Sequence, residues 1–222
     1  MDLATLEARL LAAVQPHDLL CHPFYRAWSA GELSRGDLRG YAAQYQHQVD
    51  ALPALLVRAL EQSSDPATRG ALERNLADET GEVGPPHAEL WRAFTEALGA
   101  PSDDAADAET LESSAALRHL IEAGELAALA TLWAYELQTA RVARTKREGL
   151  VERYGFTSER GLAFFALHES LDVHHAADLL SAVARLCGES PQRLELACQA
   201  ATESAKAQWR FLDGAERHRL AS

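Results

Sequence analysis

The chain has 222 residues, 47% hydrophobic and 24% charged, with a formal net charge of −12. That length supports one sizeable core and is short for two. The acidic balance argues against a nucleic-acid backbone or an anionic membrane surface as partner, since both require a cationic face. Cys21, Cys187 and Cys198 have no CxxC spacing and are odd in number, which disfavours a disulfide framework or a zinc ribbon.

In chain order, MDLATLEARLLAAVQ reads as an amphipathic helix over residues 2–14, without the basic and continuously apolar segments of a signal peptide. No run of about 18 apolar residues follows anywhere, so no membrane span is predicted and a cytoplasmic protein is expected. A second helix covers residues 18–30 and ends near Gly31. Ser34 is placed to cap a long helix that runs to about Gln62, with SRGD supplying an acidic first turn and Pro53 a potential kink. Asp65-Pro66 starts another helix, to about Thr80. GEVGPP is a loop, and the next helix opens at Pro86 or a neighbour and reaches Leu98. Residues 100–109, APSDDAADAE, are small and acidic and read as a mobile surface loop. Helices over 110–122 and 125–149 follow. YGFTS leads into a helix from about Glu159 to Cys187, and Ser190-Pro191 opens the last one, to about Asp213. Abundant alanine and leucine, sparse β-branched residues, and the absence of a repeat or linker give a single all-α domain over residues 1–222, with seven to nine helices.

One stretch carries costly groups on an otherwise apolar helix. HESLDVHH, residues 168–175, follows GLAFFAL. With about 100° of turn per residue, His168, Asp172 and His175 fall within roughly 60° of one another, and His174 points elsewhere. The H-x3-D-x2-H spacing thus aims two imidazoles and a carboxylate at one place. A dinuclear site needs about six ligands, which bundle cores supply from facing helices. Glu136, in the apolar ATLWAYELQTA, and Glu79 with His87, in NLADETGEVGPPH, are the candidates. Any one of them has a plainer reading as well: a lone helical glutamate can bond a neighbouring arginine, and a lone histidine can be a satisfied core residue. Together the six offer three imidazoles and three carboxylates, a set suited to iron or manganese more than zinc.

The order Glu79, His87, Glu136, His168-x3-Asp172-x2-His175 on an all-α chain resembles the heme-oxygenase-like diiron oxidases. Within them it is most similar to the p-aminobenzoate synthase group that includes the Chlamydia protein associating with death domains. The pyrroloquinoline-quinone synthase (PqqC) and thiaminase II (TenA) branches share that fold. The likeness runs from about residue 5 to 212, and the segment HPFYRAWSAGELSRGDLRGYAAQYQH, Tyr135 beside Glu136, and Lys146 in ARTKREG point to the narrower group. The turn between Glu79 and His87 is one residue longer than the family pattern, which makes Glu82 a competing ligand.

The resemblance implies a heme-oxygenase-like bundle with two metal ions, Fe/Fe or Mn/Fe, and with dioxygen and an external reductant as co-substrates. It implies p-aminobenzoate formation for folate synthesis from the enzyme's own Tyr25, with Tyr41 and Tyr135 in support and Lys146 as amino donor. It leaves room for a homodimer and for an unidentified electron donor. Lys146 sits ten residues past Glu136, about 15 Å along a straight helix. Either the helix bends, or the lysine lines a pocket extending away from the metals, or it lies on the surface. Two other readings stand beside this one: a dinuclear oxidase acting on an external small molecule, and a protein-interaction module. A thiamin-hydrolysing role is disfavoured, because the three cysteines lie outside the constellation.

Overall fold

The computed structural model describes residues 2–101 and 104–221. The helices are α1 (Leu3–Val14), α2 (Pro23–Ala30), α3 (Arg35–Gln62), α4 (Pro66–Thr80), α5 (His87–Leu98), α6 (Ala108–Glu122), α7 (Glu125–Glu152), α8 (Glu159–Cys187) and α9 (Pro191–Ala221). Among the described residues there are nine α-helices, two short 3-10 turns and no strand, so the fold is all-α.

Local chemistry sets most helix starts. Ser34 accepts from the Asp37 amide at 3.1 Å while Asp37 accepts from the Ser34 amide at 2.7 Å, a reciprocal capping box that opens α3. Asp65 and Ser158 cap α4 and α8 with their side chains. α3 continues through Pro53.

Two boundaries differ most from the sequence reading, and α7 also runs past the expected 149 to Glu152. Residues 18–30 do not form one helix: Leu19–Cys21 is a 3-10 turn, and α2 begins at Pro23. The residue before a proline is pushed out of the helical region, and His22 accordingly sits at φ −65°, ψ 139° and caps the Phe24 amide with its ring. α9 does not stop near Asp213 but runs to Ala221. Gly214 is a close-approach residue and not a stop signal: a Cβ there would lie 2.9 Å from Glu109 Cβ on α6. Arg217 donates twice to Glu109, at 2.8 and 2.7 Å, and holds the final turns.

In the acidic stretch 100–109, Ser102 and Asp103 lie outside the described residues. Its far end is tied to α3, with Gln44 donating to the Ala105 carbonyl at 3.0 Å and accepting from the Asp107 amide at 2.9 Å.

α7 is the central helix. Ala128 through Glu136 are all buried, as expected of a helix apolar on every side, and α8 and α9 pack along it. One half of the core is mostly aliphatic, around Leu10, Leu56, Leu129 and Val183, with Trp133 among them. The other is aromatic, around Phe24, Trp28, Tyr41, Trp91, Phe94 and Phe165. Among the described residues no helix is long and apolar enough to cross a membrane.

Candidate dimetal centre and lysine chamber

The six candidate ligands, scattered over 97 positions from Glu79 to His175, meet where the two halves of the core join. They form two groups, Glu79 with His87 and His168, and Glu136 with Asp172 and His175. Within each group the ligand atoms lie within 4.8 Å of one another, and all six residues are buried. α8 presents His168, Asp172 and His175 as a stripe, as the i, i+4, i+7 spacing requires. α7 supplies Glu136 and α4 supplies Glu79. His87 is the first residue of α5. It is brought opposite Glu79 by a turn in which Gly81, at φ 81°, packs against Pro86; a Cβ at Gly81 would meet that ring at 2.6 Å. Glu82, the competing candidate, is exposed on that turn and is not among the grouped residues.

The polar accounting inside the site is incomplete without cations. Both Asp172 carboxylate oxygens and the Nδ1 atoms of His87 and His175 are buried without a hydrogen-bond partner. His87 Nδ1 is only 2.8 Å from Glu79 Oε1, yet the pair lacks hydrogen-bond alignment. Two atoms that converge on a shared point without pairing behave as co-ligands. Leaving a buried polar group unpaired costs about 1–3 kcal/mol, so these atoms fit a site built for metal ions, and the set of nitrogen and oxygen donors suits iron and manganese.

Electrostatics agree. Burial, then the Glu79 charge, pushes the Glu136 carboxyl up to about 8. Burial, then Glu136 and Glu79, raises Asp172 well above the usual carboxylate range. Three carboxylates cannot all ionise here without positive charge between them. Burial, then His87, lowers His168 to about 3, which keeps its ring neutral and able to ligate. Both candidate-ligand imidazoles of α8 are oriented from behind: His168 Nδ1 donates to the Phe164 carbonyl at 2.8 Å, and His175 Nε2 to Asp78 at 3.0 Å. Asn75 donates to Glu136 Oε1 at 2.9 Å.

Beyond this centre lies a second chamber. Glu79, Glu136, His168 and Asp172 line the first, Tyr25 and Lys146 line the second, and the two share Tyr45, Tyr135, Thr139 and Phe164 as walls. Lys146 is therefore neither on the surface nor at the metals; it lines the pocket that leads away from them. Its Nζ donates to the Tyr41 hydroxyl, and the Tyr41 and Tyr25 hydroxyls are 2.8 Å apart. The amine also sits 4.6–4.8 Å from the ring centres of Tyr41, Tyr25 and Tyr45. Burial drives the Lys146 amine well below its usual value and the Tyr25, Tyr41 and Tyr135 phenols well above theirs.

Sequence reasoning missed three residues here. Tyr45 stacks on Tyr41 at 5.6 Å between centroids and lines both chambers beside Tyr135. Asn75 and Asp78 support the ligands from α4. The spacings Tyr41-x3-Tyr45 and Asn75-x2-Asp78-Glu79 were the available signals. Among the histidines outside the set, His22 caps α2 and bonds Asp213 at 3.2 Å, and His47 bonds the Asp104 carbonyl at 2.9 Å.

A family model described as iron-containing redox enzymes matches residues 39–209. The chain belongs to that family. It is 35% identical to a 4-aminobenzoate synthase of Nitrosomonas europaea over 227 aligned positions, covering 95% of this chain and 90% of that one. It is 33% identical to a 4-aminobenzoate synthase of Chlamydia muridarum, covering 92% of this chain and 87% of that one. A solved TenA homologue from Pseudomonas syringae superimposes with a TM-score of 0.84 at 19% identity, over 98% of this chain and 96% of that one, which shows the heme-oxygenase-like fold. For a member of this redox family, the two clusters on α4, α5, α7 and α8 are the candidate sites for a dimetal cofactor.

Proposed function

We propose that this protein makes 4-aminobenzoate by an oxygen-dependent reaction in which Tyr25 supplies the aromatic ring and Lys146 the nitrogen. The observation that carries the reading is the buried series Lys146–Tyr41–Tyr25, lining a chamber that shares a wall with the candidate ligand cluster. The names of the Nitrosomonas and Chlamydia relatives support it.

Glu79, His87, Glu136, His168, Asp172 and His175 would hold the two ions. Bound iron, or iron with manganese, supplies oxidising power drawn from dioxygen and an external reductant. The chain's own contribution is placement and protonation. Lys146, kept neutral by burial, retains a nitrogen lone pair and so can act as a nucleophile. Because Tyr41 accepts from Lys146 Nζ, its own proton is free to point at the Tyr25 oxygen, which fixes the Tyr25 phenol against the amine. Tyr45 and Tyr135 stand between that phenol and the ligand cluster, where readily oxidised rings can pass electrons.

The test is to grow the protein on ring-labelled tyrosine, then supply ferrous iron, manganese, reductant and air with no organic substrate. Labelled 4-aminobenzoate at less than one per chain, with a matching mass loss at Tyr25, is the expected result. Product that appears only when an external molecule is added would replace this reading with an oxidase acting on that molecule.

A further inference from the structure

The two halves of the ligand cluster differ in charge. Glu79, His87 and His168 provide one carboxylate and two imidazoles, whereas Glu136, Asp172 and His175 provide two carboxylates and one imidazole. The groups behind the imidazoles differ in the same sense. His168 leans on an uncharged acceptor, the Phe164 carbonyl, at 2.8 Å. His175 leans on a charged one, the Asp78 carboxylate, at 3.0 Å, and that carboxylate is 19% exposed. A carboxylate behind a ligating imidazole fixes its tautomer and strengthens its ligating nitrogen. His175 Nδ1, the ring's other nitrogen, is buried without a partner and lies 4.0 Å from Glu136 Oε2. Asn75 opposes the trend slightly, since its donation to Glu136 Oε1 draws on one carboxylate oxygen. One neutral hydrogen bond is small against one additional carboxylate facing a divalent ion and a second carboxylate behind His175.

We infer that the two halves bind metal unequally: the Glu136–Asp172–His175 half fills first, and Asp78 is the positioning residue that sets the order. Asp78 acts through His175. It is one residue from Glu79 yet serves the opposite half, because adjacent residues on α4 point about 100° apart. The inference rests on the dimetal reading of the site and is independent of the identity of the substrate.

Manganese(II) alone, added to the chelator-treated full chain, tests it, with free ion followed by its paramagnetic resonance signal. Two ions per chain with separated affinities are expected. His87→Ala should remove the weaker ion and keep the tighter one. Asp78→Asn keeps the size and a hydrogen-bond acceptor but removes the charge; it should weaken the tighter ion by roughly 10–100-fold and move the weaker one far less, with helicity by circular dichroism unchanged. A single affinity for both ions would overturn the inference, as would an equal shift of both in Asp78→Asn or loss of the tighter ion in His87→Ala. Failure to bind manganese at all would remove the dimetal reading with it. Unequal binding in a protein that releases no 4-aminobenzoate would leave the order of filling standing and sink only the proposed reaction.

Discussion

Among the described residues, Lys146 is the one buried amine lining the second chamber. Burial lowers its pKa in the folded state, so below the unfolded value the folded chain binds fewer protons than the unfolded one. Its contribution to stability therefore grows as pH rises toward 10.5 and is lost as pH falls through the depressed value. Lys146→Met should remove this burden: we expect a higher Tm at pH 7, by roughly 2–4 °C for each kcal/mol gained, together with complete loss of product. A Tm equal to or below the parent's in scanning calorimetry would show that the amine is not held neutral. Tyr25→Phe separates chemistry from packing. It should lose about 1 kcal/mol with the Tyr25–Tyr41 hydrogen bond, retain both metal ions and form no product. Normal product release, measured by chromatography, would exclude Tyr25 as the ring source. His168→Ala should abolish metal-dependent turnover with helicity largely intact.

At the level of elements, glycines decide where helices meet. Gly214 lies inside α9 and faces α6, where a Cβ would come within 2.9 Å of Glu109 Cβ. Gly40 lies inside α3, and a Cβ there would meet nothing within 4 Å. The same substitution should therefore have opposite effects. Gly214→Ala should destabilise by about 1–3 kcal/mol through overpacking, and Gly40→Ala should stabilise by about 0.4–1 kcal/mol through the unfolded chain. Urea melts of the two variants read both signs directly. The same logic explains why the last helix extends beyond Asp213: a glycine followed by Arg217 and its paired Glu109 partner signals close approach, and a single stretch of chain in isolation cannot distinguish that from a stop.

For the whole molecule, metal binding and fold are expected to be coupled through the buried carboxylates. Without metal, Glu136 is raised to about 8 against an ordinary 4.5, so its protonated form is favoured by folding. That contribution is fully present below 4.5 and is lost as pH rises through about 8. His168, lowered to about 3 from 6.5, acts in the opposite direction but only below 6.5. The Tm difference between manganese-loaded and metal-free protein should therefore widen as pH rises from 6.5 to 8. A difference that narrows across that window would show that the carboxylates are not what the ions neutralise.

HESLDVHH was legible because three candidate ligands on one helix are related by helical geometry alone, so spacing fixes their common face. Helix count and most starts were legible for the same reason: caps, prolines and periodicity act within a few residues of chain. Other features depended on neighbours distant in sequence. Glu79 rather than Glu82 faces His87 because Gly81 folds against Pro86. Lys146 is a buried amine because Tyr25, Tyr41 and Tyr45 close around it from α2 and α3. Tyr45, Asn75 and Asp78 gain their roles only from the helices they meet. Local sequence determined which groups share a face; only packing, which removes water and brings charges from separate helices within a few ångströms, decided which of those faces became a site.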